Sequence, residues 1–309
     1  MADFLAERGV AVLGLTTDIE RARSQFASAR ISTLSMERFD YVTPGRFSDV
    51  LADCEPDLIF NFAAKATGQG MFDAPYDMYR LNGSFVVDVL EAIRRSPRRE
   101  QISFCQASSS EMFGNTPQSP QTEQSPFIPK SPYGAAKLYA HNMVGIYRAT
   151  YDIRCCSAIL YNHESVRRSA EFVTKKIARG AAEIRKGIST SLSLGALDVS
   201  RDWGYAPEYV EAMYQMATAK NPSDYIVCSG RLSTVRQLCE IAFGHLGLDY
   251  RDYVRVSENG KRIVESVNLS GDPSKIRRDL GWEAKRSLAE IMIELVDHEM
   301  GGSSATCRA

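Results

Sequence analysis

Two groups of polar residues have types and spacings that suit acid–base chemistry. The segment QASSSEMFG (106–114) sets three consecutive serines beside the carboxylate of Glu111, directly after an apolar run. In SPYGAAK (131–137), Tyr133 and Lys137 are four residues apart, a spacing that puts both on one face of a helix. An ammonium beside a phenol favours the ionised phenol. Such a pair could exchange a proton with a substrate hydroxyl near neutral pH.

Each group also has a plain structural explanation. Serines at the end of a strand can cap a loop or a helix, and Tyr-x-x-x-Lys pairs arise by chance on solvated helices. The combination is more specific than either part, because the helix follows the serine–glutamate cluster at a distance that lets both face one crevice. We therefore interpret the two groups as one candidate site.

Apolar runs of strand length alternate with helical patterns along the first half of the chain. The predicted strands are VAVLGL (10–15), DLIFNFAA (57–64), ISFCQA (102–107) and RCCSAIL (154–160). The predicted helices cover 47–54, 84–95 and 132–151. Strands that are apolar throughout and separated by helices indicate a parallel sheet covered on both faces, a doubly wound α/β fold. Ligands in such folds bind beyond the carboxyl ends of the strands, where QASSSEMFG lies.

Composition excludes several classes of protein. The 309 residues are 44% hydrophobic and 24% charged with net charge −1, which gives no basic surface for nucleic acid. We expect neither a signal peptide nor a membrane-spanning run. The seven cysteines are scattered and form no CxxC pair, so a metal site is not expected and reduced thiols in a cytoplasm are favoured.

Longer motifs carry a resemblance to a known family. SSSEMFG followed by SPYGAAKLYA resembles the extended short-chain dehydrogenases/reductases, which have a Rossmann-like fold. NFAA (61–64), LYNHESVRR (160–168), FVTKKI (172–177), LDVSRDWGYAPEYVEAM (197–213) and GDPSKIRRDLGW (271–282) are similar to the GDP-mannose 4,6-dehydratase family within that group. The resemblance runs from residue 2 to about residue 300.

The resemblance implies a reaction and its catalytic residues. The C4 hydroxyl of a GDP-hexose is oxidised by a bound nicotinamide, water is eliminated across C5 and C6, and the hydride returns to C6. Tyr133 would be the acid/base at C4, Lys137 would lower its pKa and hold the nicotinamide ribose, and Ser109 would bond the C4 oxygen. Glu111 would remove the C5 proton, a role that an epimerase or reductase lacks.

The resemblance also implies binding residues and a domain division. Cofactor contacts are expected at Asp40, Asn61, Ala63 and Arg168, besides Tyr133 and Lys137. Substrate contacts are expected at Asn162, Arg201, Arg262 and Glu265, although Arg201 could instead form a local surface pair with Asp202. Residues 1–160 would bind the dinucleotide, 161–300 the nucleotide sugar, with part of 199–232 returning to the first domain, and 301–309 would be a flexible tail. Trp203 and Trp282 are expected in the core.

The chain departs from the family pattern at its start. The family opens with a strand and a GxxGxxG turn that receives the pyrophosphate of the cofactor, whereas ADFLAERG (2–9) matches the end of the following helix. The expected consequences are unpaired groups in the sheet and weak dinucleotide binding. Either the sequence starts downstream of the real start, or the chain is a defective or repurposed homologue. We favour truncation, because the catalytic residues are intact.

Two further departures concern the cofactor and the sugar. NADP is the family expectation, yet Thr16, Thr17 and Asp18 supply no positive charge for its 2′-phosphate, so NAD stays an alternative unless Arg21 or Arg23 folds back. In KATGQGMF (65–72), Gly68 and Gly70 could admit a larger sugar such as a heptose, or could simply shape a loop.

Assembly is predicted from the helix over 132–151. Leu138, Met143, Val144 and Ile146 lie around more than one of its faces, and such helices pair into four-helix bundles in the superfamily. We expect a homodimer or homotetramer, unless this helix is buried only against its own sheet. The alternatives to a GDP-mannose dehydratase are a GDP-heptose dehydratase, another nucleotide-sugar epimerase or reductase, and a non-catalytic binding protein on the same scaffold.

Overall fold

A computed structural model describes residues 1–26, 33–65, 72–257 and 268–301. The chain divides into two compact units. Unit 1 comprises Met1–Gly114, Phe127–Ile159 and Val210–Tyr225, and unit 2 comprises Asn115–Pro126, Leu160–Tyr209 and Ile226–Ala309. In chain order the elements of the described part are α1 (Ala2–Ala6), β1 (Val12–Thr16), α2 (Ile19–Phe26), β2 (Leu34–Arg38), α3 (Arg46–Cys54), β3 (Leu58–Asn61), α4 (Pro75–Tyr79), a π-helical turn (Arg80–Ser84), α5 (Phe85–Arg95), β4 (Ser103–Ser109), a 3₁₀ turn (Ser110–Met112), α6 (Pro132–Tyr151), β5 (Cys155–Leu160), β6 (Asn162–Glu164), α7 (Val173–Arg185), β7 (Leu192–Leu194), β8 (Ser200–Tyr205), α8 (Ala206–Thr218), β9 (Tyr225–Val227), β10 (Leu232–Thr234), α9 (Val235–His245), α10 (Tyr250–Tyr253), β11 (Val254–Val256), α11 (Ser274–Leu280) and α12 (Leu288–Glu299).

Parallel strands and intervening helices make unit 1 an α/β structure, which confirms the predicted fold class. β1 and β2 pair in parallel, with Thr16 opposite Arg38 at the carboxyl end. A second sheet has the strand order β3-β4-β5-β9. There β3 and β4 run parallel and Asn61 lies opposite Gln106. The carboxyl ends of β3 and β4 therefore meet at one edge, where the candidate residues follow them in the sequence.

Burial differs between the strands of unit 1. β4 and β5 are buried along their whole length, as expected for apolar strands covered on both faces. β1 is half-buried throughout, and β3 is half-buried except at Asn61. Within the described ranges β1 has only β2 as a ladder neighbour and β3 has only β4, so one edge of each is open. β4 and β5 are thus covered on both faces as predicted, whereas β1 and β3 are half-buried, and the open edges agree with the expected unpaired groups in the sheet.

The core of unit 1 lies under α5 and α6. Phe39, Phe47 and Phe85 form a cluster of tilted and edge-to-face rings with centroids about 6 Å apart, of which Phe39 and Phe47 are separated by 6.2 Å. Half-buried Leu15 of β1 and Ile59 of β3 both pack against this core. Edge-to-face rings contribute favourable quadrupole contacts beyond their buried area. The cluster therefore holds α3, α5 and the strands in one unit.

Unit 2 contains two small sheets and a separate core. The sheets have the orders β10-β8-β6 and β11-β7, and none of these strands exceeds six residues. α7, α9 and α12 pack over a core that includes Trp203. Trp282 is 3% exposed and its indole N–H donates to the carbonyl of Glu208. Both tryptophans are buried, as the sequence predicted.

Among the residues described, no helix combines the length and the apolar character needed to cross a bilayer.

Candidate active site

The buried strand β4 delivers Ser109 and Glu111 to the edge of the sheet. Ser109 is in an extended conformation, and its Oγ accepts the backbone N–H of Glu111 at 3.2 Å, which caps the short 3₁₀ turn that follows. The serine thus performs the capping that the structural explanation required. It is 8% exposed, whereas Glu111 is half-buried. The turn thus places Glu111, which is only partly buried, just past the end of the strand.

The first turn of α6 places Tyr133 and Lys137. Ser131 caps the helix by accepting the N–H of Gly134 at 3.0 Å, and Pro132 occupies the first helical position, where its missing N–H is harmless. Gly134 lies directly against Glu111, because a Cβ at Gly134 would be 2.6 Å from the Glu111 carbonyl oxygen. Only a glycine permits this approach. The two groups of residues that the sequence singled out are therefore brought together.

Lys137 is a buried ammonium with a backbone acceptor. Its side chain is 2% exposed, and its Nζ donates to the carbonyl oxygen of Ala107 at 2.8 Å. Loss of hydration lowers the pKa of Lys137 to about 8. Its Nζ lies 5.8 Å from the centre of the Tyr133 ring. At neutral pH the group is still mainly charged and can favour the Tyr133 phenolate.

The predicted cofactor contacts Asn61 and Ala63 lie at the end of β3. Asn61 is 6% exposed, and its Nδ2 donates to Oε1 of Gln106 at 2.8 Å. Its Oδ1 accepts the N–H of Ala63 at 3.0 Å, which fixes the loop that leaves the strand. The loop at this edge is therefore held in a defined conformation by side-chain hydrogen bonds.

Asp40, the predicted adenine contact, follows β2. Its carboxylate accepts the N–H of Val42 at 2.8 Å and the hydroxyl of Thr43 at 2.6 Å. The Thr43 hydrogen bond is the largest cause that lowers the pKa of Asp40. The carboxylate is therefore ionised at neutral pH and shapes its own turn, while staying exposed to solvent.

The residues at the end of β1 do not distinguish between NADP and NAD as the cofactor. Thr16 Oγ1 accepts the N–H of Asp18 at 3.2 Å, and the Asp18 carboxylate in turn accepts the N–H of Arg21 at 3.0 Å, capping α2. Arg23 lies 3.5 Å from Glu20 in an ion pair. The strand register also places Arg38 opposite Thr16, a cation at this edge that the sequence analysis did not single out.

In unit 2, Asn162 and Arg201 lie on neighbouring strands. Asn162 begins β6 opposite Trp203 of β8, and Arg201 is two residues before Trp203 on β8. Asp202 is fully buried, where its carboxylate accepts hydrogen bonds from Ser229 and from the N–H of Gly230. Asp202 therefore anchors the loop before β10 from a buried position, and the alternative of a local Arg201–Asp202 pair stays a prediction.

Arg168 has contacts that the sequence did not predict. Its Nε lies 3.3 Å from Oε2 of Glu164, and its guanidinium carbon lies 3.5 Å from the ring centre of Phe172. Glu164 is 1% exposed and also accepts the Thr174 hydroxyl at 2.6 Å. Burial raises the pKa of Glu164, and the Arg168 charge opposes that rise. The predicted cofactor role of Arg168 thus competes with a pairing inside unit 2.

Some predicted positions lie outside the described residues, namely Arg262, Glu265, Gly68, Gly70 and the tail beyond residue 301. One buried residue received no role from the sequence. Gln106 is 0% exposed within β4 and bonds both Asn61 and the Ala107 carbonyl. Its sequence signal was a polar residue in an otherwise apolar strand.

Comparison with known proteins places this arrangement in a family. The profile for GDP-mannose 4,6 dehydratase matches residues 1–295. GDP-mannose 4,6 dehydratase 1 of Arabidopsis thaliana is 35% identical over 317 residues, covering 97% of this chain and 86% of the relative. The Homo sapiens GDP-mannose 4,6 dehydratase is 33% identical over 325 residues, with 96% and 86% covered.

Solved structures share the fold at lower identity. RMD from Pseudomonas aeruginosa, described as complexed with NADPH, has a TM-score of 0.79 and 20% identity, with 94% of this chain and 97% of that chain covered. dTDP-glucose 4,6-dehydratase from Bacillus anthracis, in complex with NAD, has a TM-score of 0.78 and 17% identity, with 96% and 90% covered. The family profile and the relatives together show that the chain belongs to the GDP-mannose 4,6-dehydratase family.

Proposed function

We propose that this protein is a nucleotide-sugar 4,6-dehydratase that converts GDP-mannose to GDP-4-keto-6-deoxymannose. The observation that carries the proposal is the close approach of Gly134 to the Glu111 carbonyl. It puts a Tyr-x-x-x-Lys turn beside a serine and a carboxylate, which are the groups this reaction needs. Membership of the family supports the same activity.

The residues at this edge fit the nicotinamide end of a dinucleotide. An ammonium has three N–H donors, and the described residues give Lys137 one acceptor, the Ala107 carbonyl. The remaining N–H groups suit the hydroxyls of a ribose. When bound, the nicotinamide would supply the chemistry of taking a hydride from C4 and returning it to C6. The relatives with NADPH and NAD support this cofactor class, and we propose NADP with NAD as the alternative.

In the proposed reaction, Tyr133 is the acid/base that acts at C4. Its phenolate, favoured by the Lys137 ammonium, takes the proton of the C4 hydroxyl as that carbon is oxidised. The hydroxyl of Ser109 donates to the C4 oxygen and holds it near the phenol. Oxidation at C4 then acidifies the hydrogen on C5.

In the proposed reaction, Glu111 is the residue that carries out the elimination of water. Its carboxylate removes the C5 proton, and the carboxylic acid so formed donates this proton to the C6 hydroxyl, which leaves as water. Glu111 shares a turn with Ser109, whose Oγ holds its backbone N–H. A carboxylate tied to the hydroxyl that orients C4 is well placed to act on the adjacent carbons. After the hydride reaches C6, the Tyr133 phenol donates to C5 the proton that it took from the C4 hydroxyl.

The nucleotide is proposed to bind through unit 2. Arg201 on β8 offers a guanidinium fork that suits diphosphate oxygens. Asn162 lies on the neighbouring strand β6, and Arg262 and Glu265 remain proposals by resemblance. GDP-heptose stays the second candidate substrate.

The test follows deuterium from C4 to C6. The purified protein with NADP or NAD would receive GDP-[4-²H]mannose, and the product would be read by mass spectrometry and NMR. We expect a 4-keto-6-deoxy product with the deuterium at C6. Loss of the deuterium, oxidation without dehydration, or no turnover would contradict the proposal. No turnover with retained nucleotide binding would favour the non-catalytic alternative, and parallel reactions with GDP-heptose would identify the preferred sugar.

We also propose that the protein is at least a homodimer through α6. Of the residues on which the prediction depended, Val144 is buried in its own unit and Met143 packs against that core, so the own-sheet explanation accounts for these two. Ile146 is 51% exposed and Tyr139 is 37% exposed. An Ile146→Glu exchange should shift light-scattering mass toward the monomer. A wild-type monomer at micromolar concentration would overturn this part.

A further inference from the structure

A buried chain of hydrogen bonds joins the end of β3 to Lys137 through Gln106. Asn61 Nδ2 donates to Gln106 Oε1 at 2.8 Å, and Gln106 Nε2 donates to the Ala107 carbonyl at 2.8 Å. The same carbonyl accepts Lys137 Nζ at 2.8 Å. We call these residues, together with Ala63, the strand-end network.

The direction of every bond in the strand-end network is determined. Turning the Gln106 amide over would set its oxygen against the Ala107 carbonyl and its NH₂ against the Asn61 NH₂. Turning Asn61 over would set its NH₂ against the N–H of Ala63, which its oxygen now accepts. Neither amide can flip without losing two bonds, so the network has one arrangement.

The fold alone does not explain why a glutamine occupies position 106. A glutamine that is 0% exposed inside a fully buried strand forfeits its hydration, a cost that only complete hydrogen bonding offsets. An apolar residue would fill the same position of β4 without that requirement. β3 ends at Asn61, opposite Gln106, so Ala107 lies beyond the ladder between these strands. Its carbonyl is thereby available to two donors, Gln106 and Lys137.

We propose that Gln106 is a positioning residue that holds Lys137 and the Asn61–Ala63 loop in a fixed relation at the strand ends. By occupying one lone pair of the Ala107 carbonyl, Gln106 leaves the other as a single site for the lysine ammonium. Through Asn61 it fixes the loop that leaves β3. This inference rests on the proposed function, because it assigns Gln106 to the placement of the groups that serve Tyr133.

Two variants of Gln106 and two matched controls test the inference. Gln106→Met keeps the length of the side chain and removes both hydrogen bonds. Gln106→Glu keeps the shape and the acceptor for Asn61, and replaces the Nε2 donor by a charge. Gln121 is the matched position: it is also 0% exposed, and its amide bonds backbone carbonyls and Tyr161 within unit 2. Gln121→Met and Gln121→Glu therefore test burial alone.

The first readout is kinetic. With saturating cofactor and GDP-mannose, Gln106→Met should lower kcat about tenfold or more while the KM for the sugar nucleotide stays within about twofold, as expected when reacting groups are misplaced. Gln121→Met should keep kcat in its folded fraction. Wild-type kcat in Gln106→Met, or an equal loss in Gln121→Met, would overturn the positioning role.

The second readout needs no substrate. Lysine labelled with ¹³C at Cε is titrated by NMR, with Lys137→Met identifying the signal of Lys137. Gln106→Glu should move the Lys137 midpoint upward by about one unit or more, because a negative charge then lies near the ammonium and favours its charged form. Gln121→Glu should leave the midpoint in place. An unmoved midpoint in Gln106→Glu would overturn the inference. A wild-type protein without dehydratase activity would overturn the proposed function alone, since this titration would still report the coupling.

Discussion

Lys137 in unit 1 and Glu164 in unit 2 are both buried charged side chains near predicted site residues, and their surroundings differ. In unit 1, Lys137 is 2% exposed and its acceptor is the neutral Ala107 carbonyl. In unit 2, Glu164 is 1% exposed, lies 3.3 Å from the Arg168 guanidinium and accepts the Thr174 hydroxyl. Among the residues that the structure describes, no carboxylate pairs with Lys137, whereas the Glu164 carboxylate is paired with the Arg168 guanidinium.

Under the proposed function, this difference distinguishes a buried charge that serves catalysis from a buried charge that stabilises the structure. Burying an ammonium without a counter-ion costs stability, so its retention points to a use, here the ionisation of Tyr133. A buried pair such as Glu164 with Arg168 needs no functional explanation, because each charge offsets the other. The same comparison shows why Arg168, which resemblance assigns to the cofactor, needs an independent test.

The largest effect is expected at Lys137. Lys137→Met should lower kcat by about 1,000-fold, within the range for loss of acid–base assistance, because the Tyr133 phenolate loses its supporting charge. The variant should stay folded, since methionine fills the same volume. Steady-state kinetics and circular dichroism measure both, with the exposed Lys220→Met as the control. Activity close to wild type would remove the functional explanation for the uncompensated charge.

The next effect is a loss of stability at the other buried charge. Arg168→Met leaves Glu164 buried without its counter-ion and should lower the free energy of unfolding by about 3–5 kcal/mol. Urea unfolding measures the loss, and Arg167→Met, at the exposed neighbouring position, is the control. Unchanged stability together with weaker cofactor affinity would restore Arg168 to the cofactor and break the comparison.

The sequence predicted unit 1 better than unit 2 for a physical reason. The predicted strand at 102–107 and helix at 132–151 correspond to β4 and to α6, because apolar runs and helical periodicity carry those elements. Strands of unit 2 such as β6, with the sequence Asn-His-Glu, have three residues and no apolar run to reveal them. Their pairing depends on contacts with residues far along the chain.

The candidate site also has a part that the sequence predicted and a part that it did not. The meeting of Tyr133 and Lys137 with Glu111 follows from local signals, namely a strand end, a Ser–Pro helix start and a glycine that permits close approach. The partner of Arg168 could not be predicted, because a guanidinium suits a phosphate and a buried carboxylate equally well. For Gln106, the only signal in the sequence was a polar residue within an otherwise apolar run.

An effect of intermediate size is expected at Glu111. Glu111→Gln should slow formation of the 4-keto-6-deoxy product about 100-fold, the scale of one positioned base. Oxidation at C4 should persist, because Tyr133, Lys137 and Ser109 remain. Absorbance of the reduced nicotinamide in single-turnover reactions separates the two steps. Product formation at the wild-type rate would show that another group removes the C5 proton, and equal loss of both steps would show that Glu111 is not specific to elimination.

The smallest expected effect is the pH dependence of stability at Lys137. It is also the most direct test of the comparison between Lys137 and Glu164. Burial lowers its pKa from 10.5 to about 8 in the folded protein. Between these values the unfolded chain binds the proton and the folded protein does not, so the contribution of Lys137 to stability rises with pH. Below about pH 8 the folded protein carries the whole cost of the buried ammonium, roughly 3 kcal/mol. Lys137→Met removes that cost and also a hydrogen bond worth about 1 kcal/mol.

The variant should therefore be more stable than wild type by about 2 kcal/mol at pH 7, the opposite sign to Arg168→Met. This advantage should shrink as pH rises from 8 toward 10.5, because the wild-type lysine is then neutral in the folded state. Urea unfolding of both proteins across that range measures the difference, and Lys220→Met should run parallel to wild type. A variant that is less stable at pH 7, or a difference that does not change with pH, would mean that the charge of Lys137 is compensated after all.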